Sequence, residues 1–251
     1  MALIDLKFFS EALGVQTSVY VIIPQKSSAG EIGVDGKGGN EKYKCLYLLH
    51  GLSDDHSIWL RRTSIERYAA KYGICVVMPY GGRSFYTDMK YGEKYFTYIT
   101  EELPMRISEF LNVSDKREDT FIAGLSMGGY GALKAALSKP EKYCAAAGMS
   151  SVTDIKERQF DDLMKSIFGD PIVIEDKDDL FSLAEKTAKA IDKPKIYMCV
   201  GFEDFLYEQN VKFKNKLNSL GYELTYAESK GTHNWDFWDE YIQYILEWMF
   251  K

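Results

Sequence analysis

No apolar run in this 251-residue sequence approaches the roughly 20 residues that a membrane-spanning helix requires, and even the opening MALIDLKFF is interrupted by Asp5 and Lys7. That opening also lacks a basic n-region, a long apolar core and a small-residue cleavage site, so it reads as no secretory leader and a cytoplasmic chain is expected. There is no basic stripe either. With 31 Lys and Arg against 37 Asp and Glu, the formal charge of −6 is spread along the chain, which argues against a nucleic-acid partner. The four cysteines, Cys45, Cys75, Cys144 and Cys199, form no C-x-x-C pair and have no histidine cluster near them. Buried free thiols are expected, with no metal and no cofactor. Histidine is scarce: only His50, His56 and His233 can supply an imidazole.

What is present is a foldable composition, 46% hydrophobic and 27% charged, at a length suited to one well-buried domain spanning 1–251. Strand-like and helix-like stretches alternate. TSVYVIIP and YKCLYLLH read as neighbouring strands joined by a flexible Gly- and Ser-rich loop over 26–42. Then come helical TSIERYAAKYG, strand ICVVMP, helical YITEELPMRISEFL, strand TFIAGL, helical GYGALKAALSKP and strand YCAAAGMS. This alternation predicts an α/β fold with a mostly parallel central sheet and helices on both faces. It lapses over about 153–185 and resumes with strand KPKIYMCVG, helical NVKFKNKLNSLG, strand YELTYAES and the aromatic helix WDFWDEYIQYILEWMF. The interruption is too short for a core of its own and is expected to be a lid-like insertion over the sheet edge. Its acids Asp176, Asp178 and Asp179 read as a solvated face.

Gly124-Leu125-Ser126-Met127-Gly128 is a G-x-S-x-G element between a predicted strand and a predicted helix. A tight turn there forces the serine into a strained conformation and lifts its hydroxyl above the sheet edge, with glycines where a side chain would strike neighbouring backbone. The Met127 amide, in the first turn of the helix, then points where an attacked carbonyl oxygen gains charge. Ser126 needs a base, and His233, in the loop after the last strand, can reach the same edge. His50 precedes Gly51 at a strand end and is expected to shape a loop, while His56, in SDDHS, reads as a solvated turn residue. The imidazole needs a carboxylate. Asp204 falls between Ser126 and His233 in chain order, with Glu203 as the competing acid. Leu52, following His50-Gly51, is the expected second oxyanion donor. Trp59 is expected to line the substrate pocket. Phe85, Tyr86 and the aromatic run of the last helix (Trp235, Phe237, Trp238, Tyr241, Tyr244, Trp248) read as packing.

These stretches together, SEALGVQTSVYVIIP, LLHGLSDDHSIWLRRTSIERYA, SFYTDM with YFTYITEELP, GLSMGGYGALKAAL, GFEDFLYEQN and GTHNWDFW, resemble the esterase D-type family of α/β-hydrolases over nearly the whole chain. The closest likeness is to its bacterial tributyrin esterases, with acetyl and feruloyl esterases as relatives. The resemblance implies the α/β-hydrolase fold, Ser126 as nucleophile, Asp204 rather than Glu203 as the acid, His233 as base, and Leu52 and Met127 as oxyanion donors. It implies a serine carboxylesterase acting on a small-molecule ester such as an acetyl group, including one on an oligosaccharide, and a homodimer. The insertion has no tryptophan, which favours a short acyl chain over a feruloyl group unless Phe160 or Phe168 stands in; both read more readily as core. An S-formylglutathione-type thioesterase or an acyltransferase would use the same groups. From another class, a non-catalytic carbohydrate- or partner-binding protein could keep the fold.

Overall fold

Near-continuous apolar runs in the central strands give the sheet two buried faces, and the computed structural model, which describes residues 1–25, 42–157 and 161–251, shows what covers each. In β3 (Cys45–Leu49), Tyr47 and Leu49 join one core cluster while Leu46 and Leu48 join the other. The remaining strands are β1 (Ala2–Ser10), β2 (Val15–Ile23), β4 (Cys75–Pro79), β5 (Thr120–Leu125), β6 (Ala145–Met149), β7 (Lys195–Gly201) and β8 (Leu224–Ser229). Among the described residues they form an eight-stranded sheet in the order β1-β2-β4-β3-β5-β6-β7-β8. β1 and β2 run antiparallel, β2 and β4 run antiparallel, and every later pairing is parallel.

One face carries α4 (Leu103–Phe110), α5 (Met127–Ser138), α6 (Asp162–Phe168), α7 (Leu180–Thr187) and α8 (Tyr207–Ser219). The other carries α1 (Ile58–Arg62), α2 (Ile65–Ala70) and the aromatic α9 (Trp235–Phe250), whose Phe237, Trp238 and Tyr241 are buried while Tyr244 is exposed. A short turn of helix, α3 (Tyr95–Thr97), runs through a π-helical turn, Tyr98–Glu102, into α4. This is the predicted α/β-hydrolase architecture. No helix among the described residues is long and apolar enough to cross a membrane.

Several expectations change. β2 and β3 are not neighbours, because β4 lies between them and pairs with both. Most of the 26–42 loop lies outside the described residues. MALIDLKFF is itself a strand: Asp5 and Lys7 sit at exposed positions of an alternating pattern that turns Ile4, Leu6 and Phe8 toward the core. Of the cysteines, Cys45, Cys75 and Cys199 are buried and Cys144 is only partly so; all four are free thiols.

The described part of the insertion contributes to the core. Its Met164, Ile167, Phe168, Leu180 and Leu183 pack into the core on the α5 face; Phe160 lies outside the described residues. Its acids are not all solvated. Asp179 is buried as the N-cap of α7, accepting from the Phe181 amide and pairing with Lys156 at 2.7 Å. Asp178 is buried against Lys134 of α5 at 2.5 Å, and Tyr130 donates its hydroxyl to the Asp178 carbonyl. Only Asp176 of the three is exposed.

A continuous polar thread leads from this ion pair to the end of β3. Lys134 also donates to the Thr87 hydroxyl, 2.8 Å away, and Thr87 caps a turn in which Phe85 and Tyr86 both hold positive φ, 51° and 49°. The Tyr86 hydroxyl donates to the His50 carbonyl at 3.0 Å. His50 is buried, and its Nε2 accepts from the Gly81 amide, so its proton sits on Nδ1 and is donated to the Gly51 carbonyl. His50 therefore shapes its loop as expected. Burial pushes its pKa down to about 4, only partly offset by the Gly51 carbonyl, and the ring is neutral at pH 7.

Two outcomes follow. Burial lowers the Lys134 pKa against the pull of Asp178, so the pair is held by mutual compensation. Lys134→Met should cost about 3–5 kcal/mol by stranding a buried carboxylate, and Lys134→Met with Asp178→Leu should recover most of that, both read from urea midpoints. For His50 the folded pKa lies below the unfolded 6.5, so the unfolded chain binds the extra proton and stability falls as pH drops from 6.5 toward 4. That component amounts to about 3 kcal/mol and should be missing from the urea-unfolding pH profile of His50→Gln.

Candidate active site

Because β3, β5, β7 and β8 run parallel, the loops after them open on the same edge of the sheet, and each delivers one part of the site. Ser126 directly follows β5 as the N-cap residue of α5, with φ 53° and ψ −115°, outside the favoured regions for a residue with a Cβ. Its strained backbone is pinned on both sides. The Ser126 amide donates to the Met149 carbonyl at 2.8 Å, and its carbonyl accepts from Tyr130 and Val152. A Cβ on Gly124 would stand 2.3 Å from the Gly128 carbonyl oxygen, and one on Gly128 would stand 2.5 Å from that of Leu49. Glycine is required at both places by backbone approaching backbone. The second contact seats the elbow directly against the end of β3.

His233 lies in the loop after β8, one residue before Asn234, which caps α9 by accepting from the Phe237 amide. Asn234 therefore serves the helix, and the imidazole is left to face Ser126: Nε2 is 3.0 Å from the Ser126 hydroxyl oxygen. On its other side Nδ1 lies 2.9 Å and 3.1 Å from the two carboxylate oxygens of Asp204, in the turn after β7. With Asp204 ionised, Nδ1 carries the proton and Nε2 is free to accept the one on Ser126. Burial raises the Asp204 pKa, but His233, the Leu206 amide and the Ser150 hydroxyl more than offset it, so the carboxyl is held below the usual range.

The geometry also separates the two candidate acids. Glu203 turns away from the imidazole and accepts from the Gly231 amide at 2.7 Å, while its own amide donates to the Gly231 carbonyl. It ties down the loop that carries His233. Trp238 supports the ring edge-on from the core, its centroid 4.9 Å from that of His233, and its indole donates to Ser150.

Leu52 follows the β3 end that Gly128 touches, and Met127 opens α5. Among the described residues neither amide N–H has a protein acceptor, so both are free to donate to a substrate oxygen. Trp59 does not line the site. It is 1% exposed, donates its indole to the Leu49 carbonyl at 3.1 Å and packs edge-on to Trp235. A Trp just after a strand-end loop can turn inward as readily as outward, and here the apolar ring fills the core under β3. His56 is partly buried against Tyr20 rather than fully solvated, 5.0 Å between ring centres. Phe85 and Tyr86 are buried packing residues, as expected.

Two residues were not singled out from the sequence as parts of the site. Tyr86, read only as packing, reaches the His50 carbonyl, and Phe205, directly after Asp204, presents an exposed ring 4.6 Å from the imidazole. Its position beside the acid in GFEDF was the available signal. Two cavities, of about 1270 and 850 Å³, lie by Lys134 and Asp178 and by Tyr143 and Glu102, and none of Ser126, His233 and Asp204 lines either. Among the described residues no three His, Cys, Asp or Glu side chains cluster in a way that could hold a metal ion.

This arrangement can be set beside known proteins. The Esterase family model, described as "Putative esterase", matches residues 10–249. The chain is 32% identical over 265 aligned residues to the acetyl esterase of Caldicellulosiruptor saccharolyticus, covering 100% of this chain and 99% of that one. Fluorophosphonate-binding serine hydrolase F of Staphylococcus aureus, solved with substrate bound, superposes with a TM-score of 0.90 at 32% identity, over 100% of this chain and 98% of its own. The S-formylglutathione hydrolase apoenzyme of the same organism gives 0.87 at 32% identity, over 100% and 99%. With a serine, an imidazole and a carboxylate linked at one sheet edge and a family match that spans nearly its whole length, the chain belongs to the Esterase family and is a serine carboxylic ester hydrolase of the α/β-hydrolase fold.

Proposed function

We propose that Ser126 is the nucleophile, His233 the general base and acid, Asp204 the orienting carboxylate, and the Leu52 and Met127 amides the oxyanion donors, in the hydrolysis of short-chain acyl esters. The observation that carries this reading is the unbroken link from Asp204 through His233 to Ser126, with contacts of 2.9 and 3.0 Å. His233 Nε2 takes the hydroxyl proton as Ser126 Oγ attacks the ester carbon. The oxyanion of the tetrahedral intermediate is met by the two amides, and each such donor contributes about 10²–10³ in rate. When the intermediate collapses, the carbon–oxygen bond to the alcohol breaks and Nε2 returns its proton to the departing oxygen. Water, deprotonated by His233, then attacks the acyl-enzyme, releases the acid and restores Ser126.

The full-length similarity to an acetyl esterase supports acetyl and other short acyl groups. Acetylated oligosaccharides as natural substrates and a homodimeric assembly belong to the same reading and rest on the family resemblance. A second reading, hydrolysis of a short thioester, is favoured by the likeness to S-formylglutathione hydrolase, and kcat/KM for glutathione thioesters against oxygen esters separates the two.

Ser126→Ala should abolish hydrolysis of p-nitrophenyl acetate and labelling by a fluorophosphonate probe while leaving the unfolding midpoint close to that of the parent. Asp204→Asn, which permits the wrong imidazole tautomer, should lower kcat by about 10⁴. Residual turnover near the parent rate in the Ser126 variant would refute the assignment.

A further inference from the structure

Acyl transfer constrains where the alcohol half of the substrate must sit. If His233 hands its proton to the departing oxygen, as proposed above, that oxygen lies within about 3 Å of Nε2, and the rest of the alcohol extends over whatever flanks the imidazole. What flanks it is exposed and aromatic. Phe205 is 73% exposed, with its ring centre 4.6 Å from that of His233 and its plane tilted 48° to the imidazole. Phe202, 51% exposed, stands edge-on to Tyr207 in the same turn.

Neither ring owes its position to core packing, since burying so little of a phenyl side chain contributes little to stability. Phe205 is nevertheless fixed relative to the triad. Asp204 Oδ1 accepts from the Leu206 amide at 2.8 Å, the Tyr207 amide donates to the Asp204 carbonyl at 3.0 Å, and the Phe202 amide donates to Ser229 of β8 at 2.8 Å. The residue after Phe205 is therefore held by the same carboxylate that orients His233, and the rest of the turn by backbone bonds. The imidazole has Trp238 on its core side, 6% exposed, and Phe205 on its solvent side. The first ring is support, and the second is the exposed apolar surface beside the imidazole.

We propose that Phe205, bordered by Phe202, forms the leaving-group subsite, and that the preferred substrates are esters of alcohols with a flat apolar face, either an aryl ring or the C–H face of a pyranose. Such a face meets a phenyl ring by offset stacking or C–H contact, which a short alkyl alcohol cannot match. Selectivity at this position acts on acylation alone, because the alcohol has left before water attacks the acyl-enzyme.

The test holds the acyl group constant as acetate and varies the alcohol among ethanol, 2-naphthol and a methyl pyranoside, comparing the parent with Phe205→Ala and Phe205→Trp. The ratio of kcat/KM for the ring-bearing ester to that for ethyl acetate should fall about five- to tenfold in Phe205→Ala and be restored in Phe205→Trp. A fall confined to the naphthyl arm identifies an aryl alcohol, and one confined to the pyranoside arm a sugar; either supports the subsite. Equal losses on all three esters would make Phe205 a prop for the imidazole and overturn the proposal, as would no change in the ratio. Fluorophosphonate labelling keeps the two readings apart. A labelled Ser126 with no shift in alcohol preference sinks the subsite alone, whereas an unlabelled parent enzyme sinks both.

Discussion

Everything at the catalytic edge depends on one close approach of backbone to backbone, where the Cα of Gly128 lies against the carbonyls of Leu49 and His50. This contact sets the first turn of α5 directly on the end of β3. It thereby seats Met127 beside the strand end that leads into the Leu52 loop, although Met127 comes 75 positions after Leu52 in the chain. The strained φ of Ser126 is a consequence. A strand that must end under such a constraint and enter a helix at once has no relaxed conformation available, and a hydrogen bond to the Met149 carbonyl and two from the Tyr130 and Val152 amides hold the residue where it would not rest alone.

Burial then decides which charges the site uses. His50 and His233 are both near Ser126 in the fold, yet they lie in opposite electrostatic settings. His50 has lost its water and gained no carboxylate in hydrogen-bond contact, so it stays neutral and acts as a fixed donor and acceptor between two loops. His233 keeps partial contact with solvent and has a buried carboxylate directly behind it, which is what an imidazole needs to carry a proton briefly. Lys134 and Asp178 are a third solution, a charge pair removed from water to join the insertion to α5 and, through Thr87, to the strained turn that reaches His50. The described part of the insertion is accordingly joined to the scaffold on that face.

The three linked side chains were legible in the sequence because their constraints are local: glycines around Ser126, an acid after one strand, a histidine after the last, all in the order the fold demands. What was not legible depends on contacts between distant segments. Nothing in TSVYVIIP or YKCLYLLH announces that β4 will come between them, since strand order is set by crossovers and not by adjacency in the chain. The pairing of Asp178 with Lys134 is invisible in a run of acids that looks solvated, and Trp59 gives no sign of which way it turns. β1 was obscured by its two charges, which only the alternation of the strand places harmlessly outward.

The division of labour across Ser126 follows from the same geometry. At the elbow the neighbours are backbone amides and buried residues such as Met127, fixed by the sheet and by α5, and a change there would disturb the elbow itself. On the alcohol side the neighbours are exposed rings on a short turn, anchored at their backbone but free of core contacts. Substitution at Phe202 or Phe205 can therefore alter what the enzyme accepts with little effect on how it folds. A hydrolase built this way keeps its chemistry on the parallel strand ends and leaves the choice of alcohol to a surface that stability does not constrain.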